Sequence, residues 1–271
     1  MTDPSKQSRN IEIRTRDLHK AFGENRVLRG IDLTLYRGDF VAIVGGSGCG
    51  KTVLLNHMLG LLTPDKGSVE VCDHDKPEAP LVDLTALGQA DIDRIHTHWG
   101  VVFQGNALFS GTVYDNLALW LKEVRNLDDE AVIPIAAQAL KDVALPNDPE
   151  FLQTETHSLS GGMSKRLAVA RAIAMSPQVL FYDEPTTGLD PASASQIHNL
   201  LLKTHELGHS RTTVIITHDK DLLSRLAPRT VMLDNGQILF DGSYADFEAA
   251  SSVAIRPYFE QMPLLHHRVP V

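Results

Sequence analysis

The stretch FVAIVGGSGCGKTVLLNHMLGLL, starting at residue 40, constrains this chain more than any other. A continuous apolar, β-rich run runs straight into glycines, and then Val53, Leu54, Met58 and Leu62 recur at helical spacing. Strand, tight loop and helix therefore follow one another without a linker. Gly45, Gly46, Ser47, Gly48, Cys49, Gly50, Lys51 and Thr52 fill the pattern G-x-x-x-x-G-K-[ST]. Glycines let backbone N–H groups turn toward phosphate oxygens, and the helix N-terminus adds its positive end. Lys51 then reaches the β- and γ-phosphates, and Thr52 offers its hydroxyl to a metal ion. ATP with Mg²⁺ is the expected ligand.

A second stretch gains its meaning from the first. VLFYDE, residues 179–184, reads as a buried strand ending in adjacent carboxylates. Such a pair is commonplace at strand ends. After a phosphate loop, Asp183 is expected behind the Mg²⁺ shell and Glu184 is expected to face the attacking water as general base. That role contributes about 10²- to 10⁴-fold in rate.

The remaining pattern gives an α/β fold. IEIRTRDL near residue 11 and IDLTLY near residue 31 alternate apolar and polar residues, as half-buried antiparallel strands do. VLFYD, TVIIT (213–217) and TVMLD (230–234) are short apolar strands separated by helical lengths, the arrangement of a parallel sheet. Between WGVVF and residue 174 the signal is mostly helical, punctuated by Pro134 and Pro146. One domain over residues 1–250 is expected, with a helical segment at about 105–177 inserted in the core. Residues 251–271 form an extension, read as a helix followed by an extended peptide.

Composition excludes other classes. Hydrophobic residues make up 43% of the 271 and charged ones 22%, ordinary globular values. No apolar stretch nears the roughly 18 residues of a membrane span, and MTDPSKQSRN lacks the apolar region of a secretory signal. Cys49 and Cys72 are the only cysteines, too few for a disulfide framework. A soluble chain in a reducing compartment is expected. A net charge of -9 argues against nucleic acid as a partner. None of the 12 histidines, His74, His96 and His98 among them, shows zinc-ligand spacing with the cysteines.

LSGGMSKR, residues 159–166, raises a further question. Ser160, Gly161 and Gly162 precede a helix from Met163 to Met175 and combine a serine cap, free N–H groups and the positive dipole end. A helix cap is the plainer reading of SGG by itself. Yet the phosphate loop already serves the chain's own nucleotide, so this second anion site is expected to meet the γ-phosphate held by another copy. LSGG, between the phosphate loop and VLFYDE, resembles the signature of ATP-binding cassette (ABC) ATPases, and the resemblance covers nearly the whole chain. It implies a P-loop NTPase fold: a RecA-like mixed sheet core, an N-terminal antiparallel β subdomain and an inserted helical subdomain. It also implies a head-to-tail homodimer with ATP sandwiched between the loop of one subunit and the signature of the other.

The resemblance extends residue by residue. Phe22 is similar to the aromatic that stacks on adenine. Gln104 resembles the glutamine that senses Mg²⁺ and water, so that Thr52, Gln104 and Asp183 would serve the metal. Asp190, in TGLD, is implied at the dimer interface, and His218, in VIITHD, as the switch histidine on the γ-phosphate. A single cassette without spans implies a separate ATPase subunit on the cytoplasmic face of the inner membrane. An integral permease would dock near residues 104–125, where Phe103, Leu108, Phe109, Val113, Tyr114 and Trp120 are available. Met163 and FQGNALFSGTVYDNLAL resemble MlaF-like ATPases of Mla/Mce systems, although the tail after 251 departs from them. This implies phospholipid trafficking between inner and outer membranes with an MlaE-like permease and an Mce-domain protein. The alternatives are an ABC subunit for another substrate (amino acid, metal or drug) and a soluble ABC protein of translation or DNA repair. The latter usually carry paired cassettes or a long coiled-coil insertion, and this chain has neither.

Overall fold

The computed structural model describes residues 10–207 and 210–261; the extended peptide expected at the end of the tail lies outside them. The chain opens with β1 (Ile11–Phe22), β2 (Asn25–Tyr36) and β3 (Phe40–Val44). Then come α1 (Lys51–Met58), β4 (Lys66–Cys72), β5 (Leu81–Asp83), α2 (Gln89–His96) and β6 (Trp99–Val102). Helices α3 (Val113–Glu123), α4 (Asp129–Asp142), α5 (Pro149–Leu152) and α6 (Gly161–Ala174) separate β6 from β7 (Val179–Asp183). The rest is α7 (Pro191–Leu207), β8 (Thr212–Ile216), α8 (Lys220–Leu226), β9 (Arg229–Asp234), β10 (Gln237–Gly242), α9 (Tyr244–Ala249) and α10 (Ile255–Gln261).

Two sheets form. One is antiparallel, in the order β2-β1-β4-β5, and the other is six-stranded, β10-β9-β3-β8-β7-β6. In the larger sheet β9, β3, β8, β7 and β6 run parallel and only β10 is antiparallel, so the sheet is mixed. β7 and β8 are buried along their whole length, which is why they read as unbroken apolar runs. Alternation then divides the core in two. Val41, Ile43, Phe181, Val214 and Val231 pack with Leu54, Leu55 and the antiparallel sheet. Ala42, Val44, Leu180, Tyr182 and Ile215 pack with Leu117, Leu140, Leu167 and the C-terminal Phe247 and Phe259.

Three departures from the sequence pattern have physical causes. α4 runs unbroken through Pro134, which the sequence pattern marks as punctuation within a helical stretch. Pro134 is exposed, so water can satisfy the carbonyl that loses its helical donor. Secondly, β4, β5, β10, α2 and α9 escaped the sequence reading; β5 is only three residues long, and β10 is only half covered on one face. Thirdly, β1 does not alternate cleanly, because its register shifts between Thr15 and Leu18 and Asp17 adopts φ 44. Gly67 faces that bulge, where a Cβ would lie 2.2 Å from the Asp17 carbonyl oxygen.

Glu12 is another exception, a carboxylate only 1% exposed. Its Oε1 lies 2.6 Å from His74 Nε2 and its Oε2 is 3.4 Å from Arg37 Nε. Arg37 also donates to Cys72 Sγ at 3.1 Å. Among the described residues, Glu12, Cys72 and His74 thus bring donor atoms within 4.8 Å of one another, a convergence that sequence spacing did not reveal. The Arg37 guanidinium already supplies positive charge to both Glu12 and Cys72, so the group reads as an ion-pair network.

Burial works against the His74 charge, but hydrogen bonds with Cys72 and Glu12 outweigh it and raise the imidazole from 6.5 to about 9. The folded value lies above the unfolded one, so this stabilisation is complete below about pH 6.5 and is lost as pH rises through 9. Urea unfolding at pH 6 and pH 9.5 is expected to show a loss of up to about 3 kcal/mol, and that loss should be absent in His74→Gln.

Candidate nucleotide site

Parallel register sets the address of the site. Ile43 of β3 pairs with Ile216 of β8, Ile216 pairs with Asp183 of β7, and Tyr182 pairs with Val102 of β6. The chain therefore leaves all four strands along one edge. That edge receives the loop from Gly45, the pair Asp183 and Glu184, His218 and Gln104. In open α/β sheets, ligands bind outside these carboxyl ends.

The loop needs its glycines. Gly45 has φ 150 and Gly50 has φ 108. A Cβ on Gly45 would lie 2.3 Å from the Leu233 carbonyl oxygen and 2.6 Å from Cys49 Sγ, and one on Gly50 would lie 2.9 Å from Leu28. Lys51 folds back over the loop, donating to the carbonyls of Gly45 at 2.8 Å and Gly46 at 3.0 Å. α1 begins at Lys51 with no side-chain cap and no acidic residue in its first turn, leaving its N–H groups and dipole for an anion. Gly46, Ser47, Gly48 and Thr52 are exposed, whereas Cys49 is buried. Burial pushes the Cys49 thiol up against the pull of Lys51, so it packs as a small apolar group and not as a reactive thiolate.

The carboxylates differ in setting. Asp183 is 8% exposed. Burial, then the adjacent Glu184 charge, raise its carboxyl, and Lys51 and Lys165 offset this only in part. A buried oxygen donor short of positive charge fits a hard divalent cation such as Mg²⁺. Glu184 adopts φ 50, a conformation that costs a non-glycine residue about 1–3 kcal/mol. Its N–H donates to the Ile216 carbonyl at 2.9 Å, and its Oε2 lies 2.7 Å from His218 Nδ1 and 3.3 Å from the Thr187 hydroxyl. The bonds that hold the strained residue also aim its carboxylate.

Other predicted residues fall in two places. Phe22, 50% exposed, ends β1 in the hairpin whose Val27 and Leu28 lean on Gly50, and its ring lies 5.7 Å from Lys20 Nζ. Ser160 caps α6, accepting from Met163 N–H at 3.3 Å, with Gly161 exposed beside it. Asp190 accepts from the N–H groups of Ala192 and Ser193 at 3.0 Å and from the Ser193 hydroxyl at 2.5 Å. A Cβ on Gly162 would lie 3.3 Å from that same hydroxyl. Ser193 thus joins the signature to the segment of Asp190.

Several supporting residues escaped the sequence reading. Asp219, fully buried, accepts from Thr186 at 2.8 Å and lies 3.0 Å from His198 Nε2 while capping α8. Burial raises its carboxyl, but bonds from His198 and Thr186 outweigh this and hold it low. Its place before KDLLSRL was the available signal, that of an N-cap. Lys165, 4% exposed, donates to the Gln104 carbonyl at 2.8 Å. Burial lowers its ammonium, opposed by Asp183 and Glu184. Arg171 donates to the Ala107 carbonyl at 2.8 Å and sits 5.0 Å from the Phe109 ring. Asn116 bonds both the N–H and the carbonyl of Phe109. Neither Lys165 nor Arg171 follows from a helical pattern alone, since a buried cation on α6 breaks it.

A family model described as ABC transporter matches residues 28–187. Protein TRIGALACTOSYLDIACYLGLYCEROL 3, chloroplastic, of Arabidopsis thaliana is 31% identical over 265 residues, covering 92% of this chain and 73% of that one. The methionine import ATP-binding protein MetN 4 of Oceanobacillus iheyensis is 33% identical over 250 residues, covering 92% and 68%. Further relatives at 31% to 32% identity are named for import of L-cystine (Bacillus subtilis), transport of histidine (Pseudomonas aeruginosa) and import of phosphate (Lactobacillus acidophilus). They cover 85% of this chain and 85% to 90% of their own length. The ATP-binding cassette MJ0796, solved as a dimer in a post-hydrolysis state bound to ADP and Pi, superposes with a TM-score of 0.72. It is 27% identical and covers 86% of this chain and 98% of its own. The chain belongs to the ABC transporter family, as an ATP-binding unit whose ATP hydrolysis is coupled to transport.

Proposed function

We propose that the chain is the ATP-hydrolysing subunit of a membrane transporter, acting as a head-to-tail homodimer beside an integral permease. The observation that carries this reading is the Glu184–His218 contact of 2.7 Å at the strand edge that also bears the phosphate loop. Loop N–H groups and Lys51 hold the phosphates, and Thr52 and Asp183 hold Mg²⁺ with Gln104 nearby. Bound ATP with Mg²⁺ supplies the electrophilic phosphorus and neutralises phosphate charge. Glu184 orients water and takes its proton at the carboxylate, and His218 fixes that carboxylate. Phe22 offers its exposed face to adenine. The bare start of α6, Ser160 to Gly162, offers N–H groups to the γ-phosphate of the partner's ATP, with Asp190 bracing it through Ser193.

A permease surface is supported by the same helical segment. Phe103, Phe109 and Trp120 are 38%, 42% and 46% exposed, while Val113 is core and Leu108 and Tyr114 are half-buried. No helix among the described residues is long and apolar enough to cross a membrane. For the cargo, relatives named for methionine, L-cystine, histidine and phosphate support uptake of a small polar solute better than they support lipid. Phospholipid trafficking with an MlaE-like permease and an Mce-domain protein is the second reading. It is favoured by the segment FQGNALFSGTVYDNLAL and by a relative named for a galactolipid.

Gentle solubilisation and co-purification separate the two cargoes. A permease with an Mce-domain protein and phospholipid supports lipid, and one without either supports the solute. In Glu184→Gln, ATP binding is expected to persist while turnover falls about 10²- to 10⁴-fold. With ATP this variant should elute as a dimer on size exclusion. Adding Gly161→Glu, a charge placed where a Cβ meets nothing within 4 Å, should return it to the monomer with nucleotide still bound.

A further inference from the structure

Gly45, the first residue of the phosphate loop, donates its N–H to the phenol oxygen of Tyr258 at 2.9 Å, from 213 residues away in the chain. The bond meets a local need. Gly45 is buried, a Cβ there would lie 2.3 Å from the Leu233 carbonyl oxygen and 2.6 Å from Cys49 Sγ, and the phenol oxygen is the acceptor for its N–H. Burial pushes the Tyr258 hydroxyl up to about 12, so it stays neutral and able to accept.

The helix that carries Tyr258 holds a second arm of the site. Lys220, which opens α8 directly after His218 and Asp219, places Nζ 3.9 Å from the centre of the Phe259 ring and 3.5 Å from the Phe259 carbonyl oxygen. Phe259 meets Phe247 edge-on at 5.7 Å, and Phe247 meets Phe240 at 5.3 Å, so α10 rests on a row of rings over β10. Neither catalysis nor the dimer reading requires any of these contacts.

We propose that Tyr258 is a positioning residue for ATP: α10 clasps the base of the phosphate loop and the switch loop together, so that the nucleotide-binding shape of the loop and the docking of α10 form one equilibrium. The proposal rests on the reading of residues 45–52 as the ATP phosphate loop. Without nucleotide, the glycine-rich loop can relax and expose the Gly45 N–H to water. With nucleotide, the other loop N–H groups are committed to phosphate, and losing Tyr258 leaves the Gly45 donor buried and unpaired. The penalty therefore falls on the bound state, and by linkage ATP strengthens α10 docking by the same factor that docked α10 strengthens ATP binding.

The test uses the full chain with ATP in EDTA, so that nothing turns over. The Kd is measured by calorimetry, and amide hydrogen exchange is followed over residues 255–261 with and without ATP. Tyr258→Phe is expected to raise the Kd about fivefold, the factor of one hydrogen bond. Wild-type exchange over 255–261 should slow about fivefold with ATP, and the variant should show no such slowing. Lys51→Ala is the control for the loop itself. If Lys51→Ala loses ATP affinity and Tyr258→Phe does not, the proposal is overturned while the phosphate-loop reading stands. If Lys51→Ala binds like wild type, that reading falls and the proposal with it. A lowered melting temperature in Tyr258→Phe with unchanged affinity would mark a mere structural tether and likewise overturn the proposal.

Discussion

The parallel ladder of β3, β8 and β7 is the constraint on which the rest of the molecule depends. Its register aligns Ile43, Ile216 and Asp183 in one row, and whatever follows those residues must emerge at one level. A slip of one residue would turn Ala42 and Val44 into the core of the antiparallel sheet and Val41 and Ile43 into the helical one. The strands are buried on both faces by unlike partners, so register is fixed by packing on two sides at once. The chemistry at the edge inherits that rigidity. Glu184 can be held at φ 50 because the strand before it cannot move and the Ile216 carbonyl takes its N–H.

The site concentrates energetic costs that the core offsets. A strained carboxylate, a buried Asp183 raised by burial and a like charge, and a buried Lys165 lie within one small region. Each would destabilise an isolated domain. On the proposed reading, a phosphate and a divalent ion bound there would relieve this repulsion, so that ligand binding and local stability would be the same event.

The parts legible in the sequence were those set by local chemistry. The glycines from Gly45 to Gly50, the strand VLFYD, and Ser160 as a cap follow from backbone demands that act over a few residues. The parallel sheet was legible because β3 and β7 read as unbroken apolar runs, whereas the division of the core between their two faces was not. What escaped was long-range and polar. Glu12 looks like the outward residue of an alternating strand until His74 and Arg37 arrive from distant turns. Asp219, Asn116 and Arg171 each bond loops that no local pattern brings together. Pro134 punctuates a stretch that still reads as helical, and the helix passes it because the local rule against proline yields where the residue is exposed to water.

Lys165 carries a consequence beyond its burial. Its helix begins at the signature, and its ammonium grips the carbonyl of Gln104, the residue proposed to face the chain's own nucleotide. In a head-to-tail pair, the surface that reads the neighbour's ATP and the loop that answers to the chain's own ATP are then ends of one rigid lever. Neither pocket could change shape without being felt in the other, and the two nucleotides would be counted as a pair instead of singly.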